Sequence, residues 1–253
     1  MNPQSLGHAL DPAYFARHIL AFTPDPRQKR VLQSSAHRMI LNCTRQWGKS
    51  TVCGIKALHL ALFTGETLVI VAGPTERQTG EFLRKMHEHL HTLDIQPRRD
   101  GFNRTSLLLP NGSRIIGLPG KMHRSIRGFS ALSLLIFDEA AQVPDELYTA
   151  LRPMLATTNG ALWLLSTPYG KQGFFHNEWA NGGDRWQRIA IPATECPRIS
   201  PAFLAEEREV LGELYFNQEY MCQFHATDDS LFDEPTVLRA IDPSLQPLFP
   251  NGY

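Results

Sequence analysis

The sequence predicts an α/β protein, a mostly parallel sheet flanked by helices. Three observations carry that prediction. Short apolar runs alternate with helical patterns from His37 to Ser166, the rhythm of repeated βαβ units. Two of the runs, Leu132–Phe137 and Ala161–Ser166, show no polar alternation, as expected of strands covered by helices on both faces. Between the earlier runs stand stretches long enough for crossover helices.

Taken in order, His37–Asn42 reads as a strand and Lys49–Phe63 as a helix. Thr67–Ala72 is a second strand closed by Gly73 and Pro74, and Glu76–Leu93 an amphipathic helix with Phe82, Leu83, Met86, Leu90 and Leu93 inward. Leu107–Pro110 and Arg114–Leu118 flank Asn111-Gly112, a strong short hairpin signal. Leu132–Phe137 is a strand, and a helix runs from Pro144 to about Met154, with the proline suited to its first turn. Ala161–Ser166 is another buried strand and Trp186–Ile191 one more. Pro201–Leu211 and Glu213–Met221 read as two helices. Residues 1–232 are expected to form one domain with 170–232 as a smaller subregion, and the proline-rich 233–253 a linker or tail.

Composition narrows the class. At 42% hydrophobic and 20% charged residues, the 253-residue chain is neither disordered nor membrane-like. Its longest apolar runs fall far short of the ~20 residues that span a bilayer, so no membrane association is expected. Asp11 and Pro12 interrupt the place where a secretory leader would be apolar. Cys43, Cys53, Cys196 and Cys222 form no CxxC pair, which points to a reducing compartment rather than to disulfides or a thiolate zinc site. Net charge is zero, yet it is unevenly spread. Arg98, Arg99, Arg104, Arg114, Lys121, Arg124 and Arg127 face Asp100 alone, a local +6, while Pro201–Glu234 carries a local −8. A basic stretch of this kind suits a phosphate backbone.

The chemistry begins where the strand His37–Asn42 runs into Cys43, Thr44, Arg45, Gln46, Trp47, Gly48, Lys49, Ser50 and Thr51, and then a helix. That is the setting of a phosphate-binding loop. Backbone N–H groups and a helix N-terminus receive the phosphates, Lys49 reaches the β and γ groups, and Ser50 serves Mg²⁺. Gly-Lys-Ser/Thr alone arises by chance in roughly one chain in ten, so its strand-loop-helix context decides the matter. Cys43 stands where the usual pattern has its first glycine. Leu132–Phe137 then delivers Asp138 and Glu139 to the C-terminal edge of a sheet, where ligands of open α/β sheets bind. Asp138 is expected to hold Mg²⁺ through water and Glu139 to polarise the attacking water. Ser166, Thr167 and Pro168 close a third strand, placing small hydroxyls where a γ-phosphate could be sensed.

These motifs, with Gln28 ahead of the first strand, Ile136–Ala140, Arg127-Gly128, and Gln218-Glu219-Tyr220 with Phe224 near the end, resemble the large terminase subunit of tailed bacteriophages across about Asp25–Phe232. The resemblance implies a phosphate-loop ATPase of the class with an additional strand and a catalytic Glu, the ATPase half of a DNA-packaging motor. By the same resemblance, Gln28 contacts adenine, Arg45 touches the phosphates, Arg127 reaches a neighbouring subunit's γ-phosphate, and Ser166-Thr167-Pro168 couples hydrolysis to motion. It further implies ATP and Mg²⁺, double-stranded DNA, a small terminase subunit, a portal protein and a homo-oligomeric ring. The ring would be a pentamer when assembled and the chain a monomer in isolation, working in the host cytoplasm. The nuclease half is expected to lie outside this chain. Arg98, Arg99, Arg104, Lys121 and Arg124 are the expected DNA contacts.

Competing interpretations are weaker. Another DNA translocase or a helicase-like remodeller shares the motifs, but a two-lobed helicase needs more than the 87 residues that follow Ser166. A nucleotide switch would not need Glu139. His87-Glu88-His89-Leu90-His91 matches HExxH literally, but it lacks a spaced third ligand and reads as a solvated helix flank. Trp47, Trp163, Trp179 and Trp186 read as core or adenine-pocket packing.

Overall fold

Apolar side chains alternate across each strand, and the two resulting faces are covered by different helices. The computed structural model describes residues 3–99, 101, 105–120, 129, 131–225, 236, 239 and 240. In chain order the elements are α1 (Pro3–Leu10), α2 (Pro12–His18), α3 (Pro26–Gln33), β1 (Arg38–Cys43), α4 (Lys49–Phe63), β2 (Leu68–Gly73) and α5 (Glu76–Thr92). Then come β3 (Ser106–Leu108), β4 (Arg114–Pro119), β5 (Leu134–Asp138), α6 (Asp145–Leu151), β6 (Ala161–Ser166), α7 (Gly173–Asn181), β7 (Gln187–Ile191) and α8 (Pro201–Glu219).

The strands form one sheet in the order β3-β4-β2-β5-β6-β1-β7, parallel except for the β3–β4 pair. On one face Met39, Leu41, Val69, Val71, Ile136 and Trp163 pack with α2–α5. On the other, Ile40, Ile70, Leu135, Phe137 and Leu164 pack with α6 and α7. Residues i and i+2 of a strand share a face, so each strand feeds both cores.

The strands and the two long helices expected before Ser166 are present, with ends shifted by a residue or two. The expected 144–154 helix is α6 followed by a tight 3₁₀ turn at Arg152–Leu155. The two acidic-side helices meet at Gly212, whose φ of 74° and ψ of 164° break the helical path within α8. Only glycine adopts such a conformation readily. Helices α1–α3 and α7 were not foreseen. Both α2 and α3 carry signals for a start, an Asp N-cap before proline at Asp11-Pro12 and Asp25-Pro26.

All four cysteines are buried and free. No described helix is long and apolar enough to cross a membrane. The expected linker at 233–253 lies almost wholly outside the described residues.

Candidate nucleotide site

The site lies at the C-terminal edge of the sheet, where β1, β6 and β5 end side by side. Asp138 pairs with Leu165 across β5 and β6, and Leu41 pairs with the same Leu165 across β6 and β1. β6 therefore stands between the strand that enters the loop and the strand that ends in Asp138. The loop itself is bent by two left-handed residues, Gln46 (φ 62°) and Gly48 (φ 94°), before α4 starts at Lys49. A side chain at Gly48 would be strained, and its Cβ would stand 3.3 Å from Gln28 Nε2.

Two polar contacts draw the motifs together. Ser50 Oγ donates to the Asp138 carboxylate, 3.0 Å from each oxygen. Lys49 Nζ lies 3.0 Å from Glu139 Oε1, with the side chains 9% and 23% exposed. Burial pushes the Asp138 carboxyl up to about 6; Glu139 adds to the push, while Lys49 and the Ser50 hydroxyl oppose it. Burial would lower Lys49, but the charge and hydrogen bond of Glu139 outweigh it and hold the ammonium above its ordinary value. Glu139 occupies a left-handed backbone conformation, φ 51° and ψ 45°, uncommon for a non-glycine residue and frequent at functional sites. Ser166 Oγ accepts from Ala141 N at 3.2 Å, which ties the end of β6 to the turn that carries Glu139. Ser166, Thr167 and Pro168 are all buried.

Other expected residues are placed differently. Arg45 is exposed, and its Nε donates to Glu219 Oε2 at the end of α8. Thr44 Oγ1 also donates to the Glu219 carbonyl at 3.3 Å, and Asn42 Nδ2 to the Cys222 carbonyl at 2.8 Å. The loop is thus stitched to the C-terminal helix rather than left open around Arg45. Trp47 contributes backbone only, because its ring is fully buried in the core. Gln28, 2% exposed, belongs to a capping box: its N donates to Asp25 Oδ1 and its Oε1 accepts from Asp25 N. Its Nε2 donates to the Trp47 carbonyl at 2.9 Å. One amide N–H and one lone pair of Gln28 are left over from these bonds. Thr51, half-buried, follows Ser50 in the first turn of α4.

Arg98 and Arg99 are exposed beside the β3 edge, where Arg98 bridges Leu108. Arg104, Lys121, Arg124 and Arg127 lie outside the described residues. His87 and His91 are exposed on α5, and Glu88 pairs with Arg84. Among the described residues no cluster of three or more His, Cys, Asp or Glu side chains could hold a metal. Trp163 and Trp186 are buried in the core and Trp179 packs against it. Reasoning from sequence missed Asp25 and Arg198. The Asp25-Pro-Arg-Gln28 capping pattern was available as a signal, whereas nothing local marks Arg198.

Fold and site together define a phosphate-loop NTPase with an added strand between its two signature strands. The family model described as "Terminase large subunit, T4likevirus-type, N-terminal" matches residues 40–238. The chain belongs to that family. It is 26% identical over 224 residues to the curated large terminase subunit of Escherichia phage T5, a match covering 84% of this chain and 49% of the relative. The chain thus spans about half the length of that relative. The large terminase ATPase domain of Thermus phage P74-26 superposes with a TM-score of 0.75 at 20% identity, covering 85% of this chain and all of the other. The large terminase of a thermophilic bacteriophage in complex with ADP superposes with a TM-score of 0.63 at 15% identity, covering 88% and 54%.

Proposed function

We propose that the chain is the ATPase module of a viral DNA-packaging motor, hydrolysing ATP to move double-stranded DNA into a procapsid. The observation that carries this is the convergence of Lys49, Ser50, Asp138 and Glu139, contributed by two segments 88 residues apart, at one sheet edge. Family membership and the ADP held by one fold relative support it.

Lys49 and the N-terminus of α4 receive the phosphates, drawing Lys49 from Glu139. Freed of its partner, Glu139 orients a water and takes its proton as the water oxygen bonds to the γ-phosphorus. The bond from that phosphorus to the β–γ bridging oxygen breaks, and ADP and inorganic phosphate leave. The Ser50 hydroxyl and Asp138 carboxylate are hard oxygen donors set together, which fits Mg²⁺. Bound with ATP, that ion would neutralise phosphate charge. Ser166, bonded to Ala141, would carry the loss of γ-phosphate into β6.

The remaining assignments rest on the family. Arg45 would exchange Glu219 for the phosphates, Gln28 would read adenine, and Arg127 would act on a neighbour in a ring, a pentamer when assembled. The basic segment, Arg98 and Arg99 with Arg104, Lys121 and Arg124, would track DNA. Of these, Arg98 and Arg99 stand beside β3, at the sheet edge opposite β7, and the acidic α8 is tied to the β7 side through Ala193 N and the Tyr220 carbonyl. Opposite charge on opposite edges suits head-to-tail association. A small terminase subunit and a portal protein are the other partners, residues 1–232 form the ATPase domain with 233–253 leading onward, and nuclease chemistry belongs outside this chain. Phosphate release measured with and without double-stranded DNA tests the reading. DNA-stimulated release that Lys49→Ala abolishes is expected; release indifferent to Lys49→Ala would refute it.

A further inference from the structure

We infer that Arg198, which no sequence motif marks, is a positioning residue for the phosphate loop: with Gln28 it clamps the Trp47 carbonyl and so aims the Gly48 N–H at the phosphates. This rests on the nucleotide reading above and adds a residue to it.

The Trp47 carbonyl accepts from two side chains at once, Gln28 Nε2 at 2.9 Å and Arg198 Nη2 at 2.6 Å, the latter from a residue 151 positions away. Both lone pairs of that oxygen are thereby used. The second arm of the guanidinium, Nη1, reaches Asp25 Oδ2 at 3.4 Å. Asp25 Oδ1 accepts from Gln28 N at 2.8 Å, and Gln28 Oε1 accepts from Asp25 N at 3.0 Å. The four residues therefore close a ring of hydrogen bonds joining the start of α3, the loop, and the segment between β7 and α8.

The peptide that follows is the one that matters. In a trans peptide the carbonyl and the next N–H point in opposite directions. With the Trp47 oxygen held toward α3 and Arg198, the Gly48 N–H faces the other way, immediately ahead of the first residue of α4. The Trp47 ring is fully buried in the core, so the residue is anchored by its ring as well as by its carbonyl. Gly48 sits at φ 94°, a conformation open to glycine without steric cost. Arginine suits the task because its planar fork spans two acceptors, whereas a lysine ammonium on its flexible stem would engage one. The 196–200 segment that carries Arg198 leads directly into α8, so the attitude of α8 would bear on phosphate affinity.

The test compares wild type, Arg198→Ala and Arg198→Lys by calorimetric titration with Mg-ATP and with magnesium tripolyphosphate, which has no base or ribose. Arg198→Ala should weaken both ligands alike, by about tenfold for loss of a charge-assisted hydrogen bond. Arg198→Lys should restore only part of this. The loss should fall on binding of both ligands more than on phosphate release at saturating ATP, since it is a loss of uniform binding. A tripolyphosphate affinity unchanged in Arg198→Ala overturns the inference, because the residue then does not act through the loop. If Arg198→Ala does not fold, Arg198→Gln keeps one donor and should weaken both ligands to a lesser, equal extent; no weakening overturns the inference as well. Lys49→Ala, run alongside, separates the two claims. If it binds both ligands normally, the nucleotide site itself is misassigned; if it loses both while Arg198→Ala keeps both, only the clamp fails.

Discussion

Replacing Glu139 with glutamine should tighten ATP binding while stopping turnover. Glu139 holds Lys49 at 3.0 Å, in a pair of which one side chain is 9% and the other 23% exposed. At an effective dielectric of ~20, unit charges at that distance attract by about 5 kcal/mol. Desolvation of the two ions offsets most of this, leaving a net of about 1 to 2 kcal/mol. Nucleotide must displace that pairing and then lie near the remaining carboxylate. Glu139→Gln keeps the shape and removes the charge, so Mg-ATP affinity should rise about tenfold, the equivalent of about 1.4 kcal/mol. Loss of the group that accepts the proton should lower phosphate release by about 10² to 10⁴. Calorimetry gives the first quantity and a phosphate-release assay the second. Near-normal turnover, or affinity unchanged or weakened, would refute the reasoning.

Further outcomes follow from the same geometry. Glu219→Gln should free Arg45 and tighten Mg-ATP about two- to threefold, a modest effect because the Arg45 side chain is 60% exposed; the gain should vanish in the Arg45→Ala background, as a double-mutant cycle would show. Because the Asp138 carboxyl is raised to about 6, the folded state binds its proton more tightly than the unfolded chain does. Its contribution to stability is therefore present below about pH 4 and lost as pH rises through about 6. In chelator-treated protein, urea unfolding of Asp138→Asn should lack that loss; parallel pH profiles for the two chains would argue against it. Arg127→Ala should leave ATP affinity intact but abolish stimulation on assembly, and mixing it with Glu139→Gln subunits should partly restore activity; no rescue on mixing would mean that Arg127 does not act across an interface.

Much of the fold could be read from local pattern, because its buried strands are uninterrupted apolar runs. Leu134–Asp138 and Ala161–Ser166 have neighbours on both sides and core on both faces, so nearly every position is apolar. Gly212 announced its own break in α8. The short N-terminal helices escaped notice because their strongest signals are caps, not periodicity. At the site, Lys49, Ser50, Asp138 and Glu139 were legible because the chemistry demands those residue types at strand ends. Their pairing was not, since local pattern carries no information about which carboxylate Lys49 meets. Arg45 shows the limit most clearly. Its position inside the loop points to phosphates, yet its partner is Glu219, 174 residues away. Arg198 has no local signature, because its role depends on where the β7–α8 connection passes.

The most direct test of the account is a crystal structure of the chain with Mg²⁺ and ATP-γ-S. Lys49 Nζ should be withdrawn from Glu139 onto the β- and γ-phosphates, with Ser50 and Asp138 at the metal and Glu139 turned toward the γ-phosphorus. Nucleotide bound elsewhere, with the Lys49–Glu139 pair intact, would contradict it.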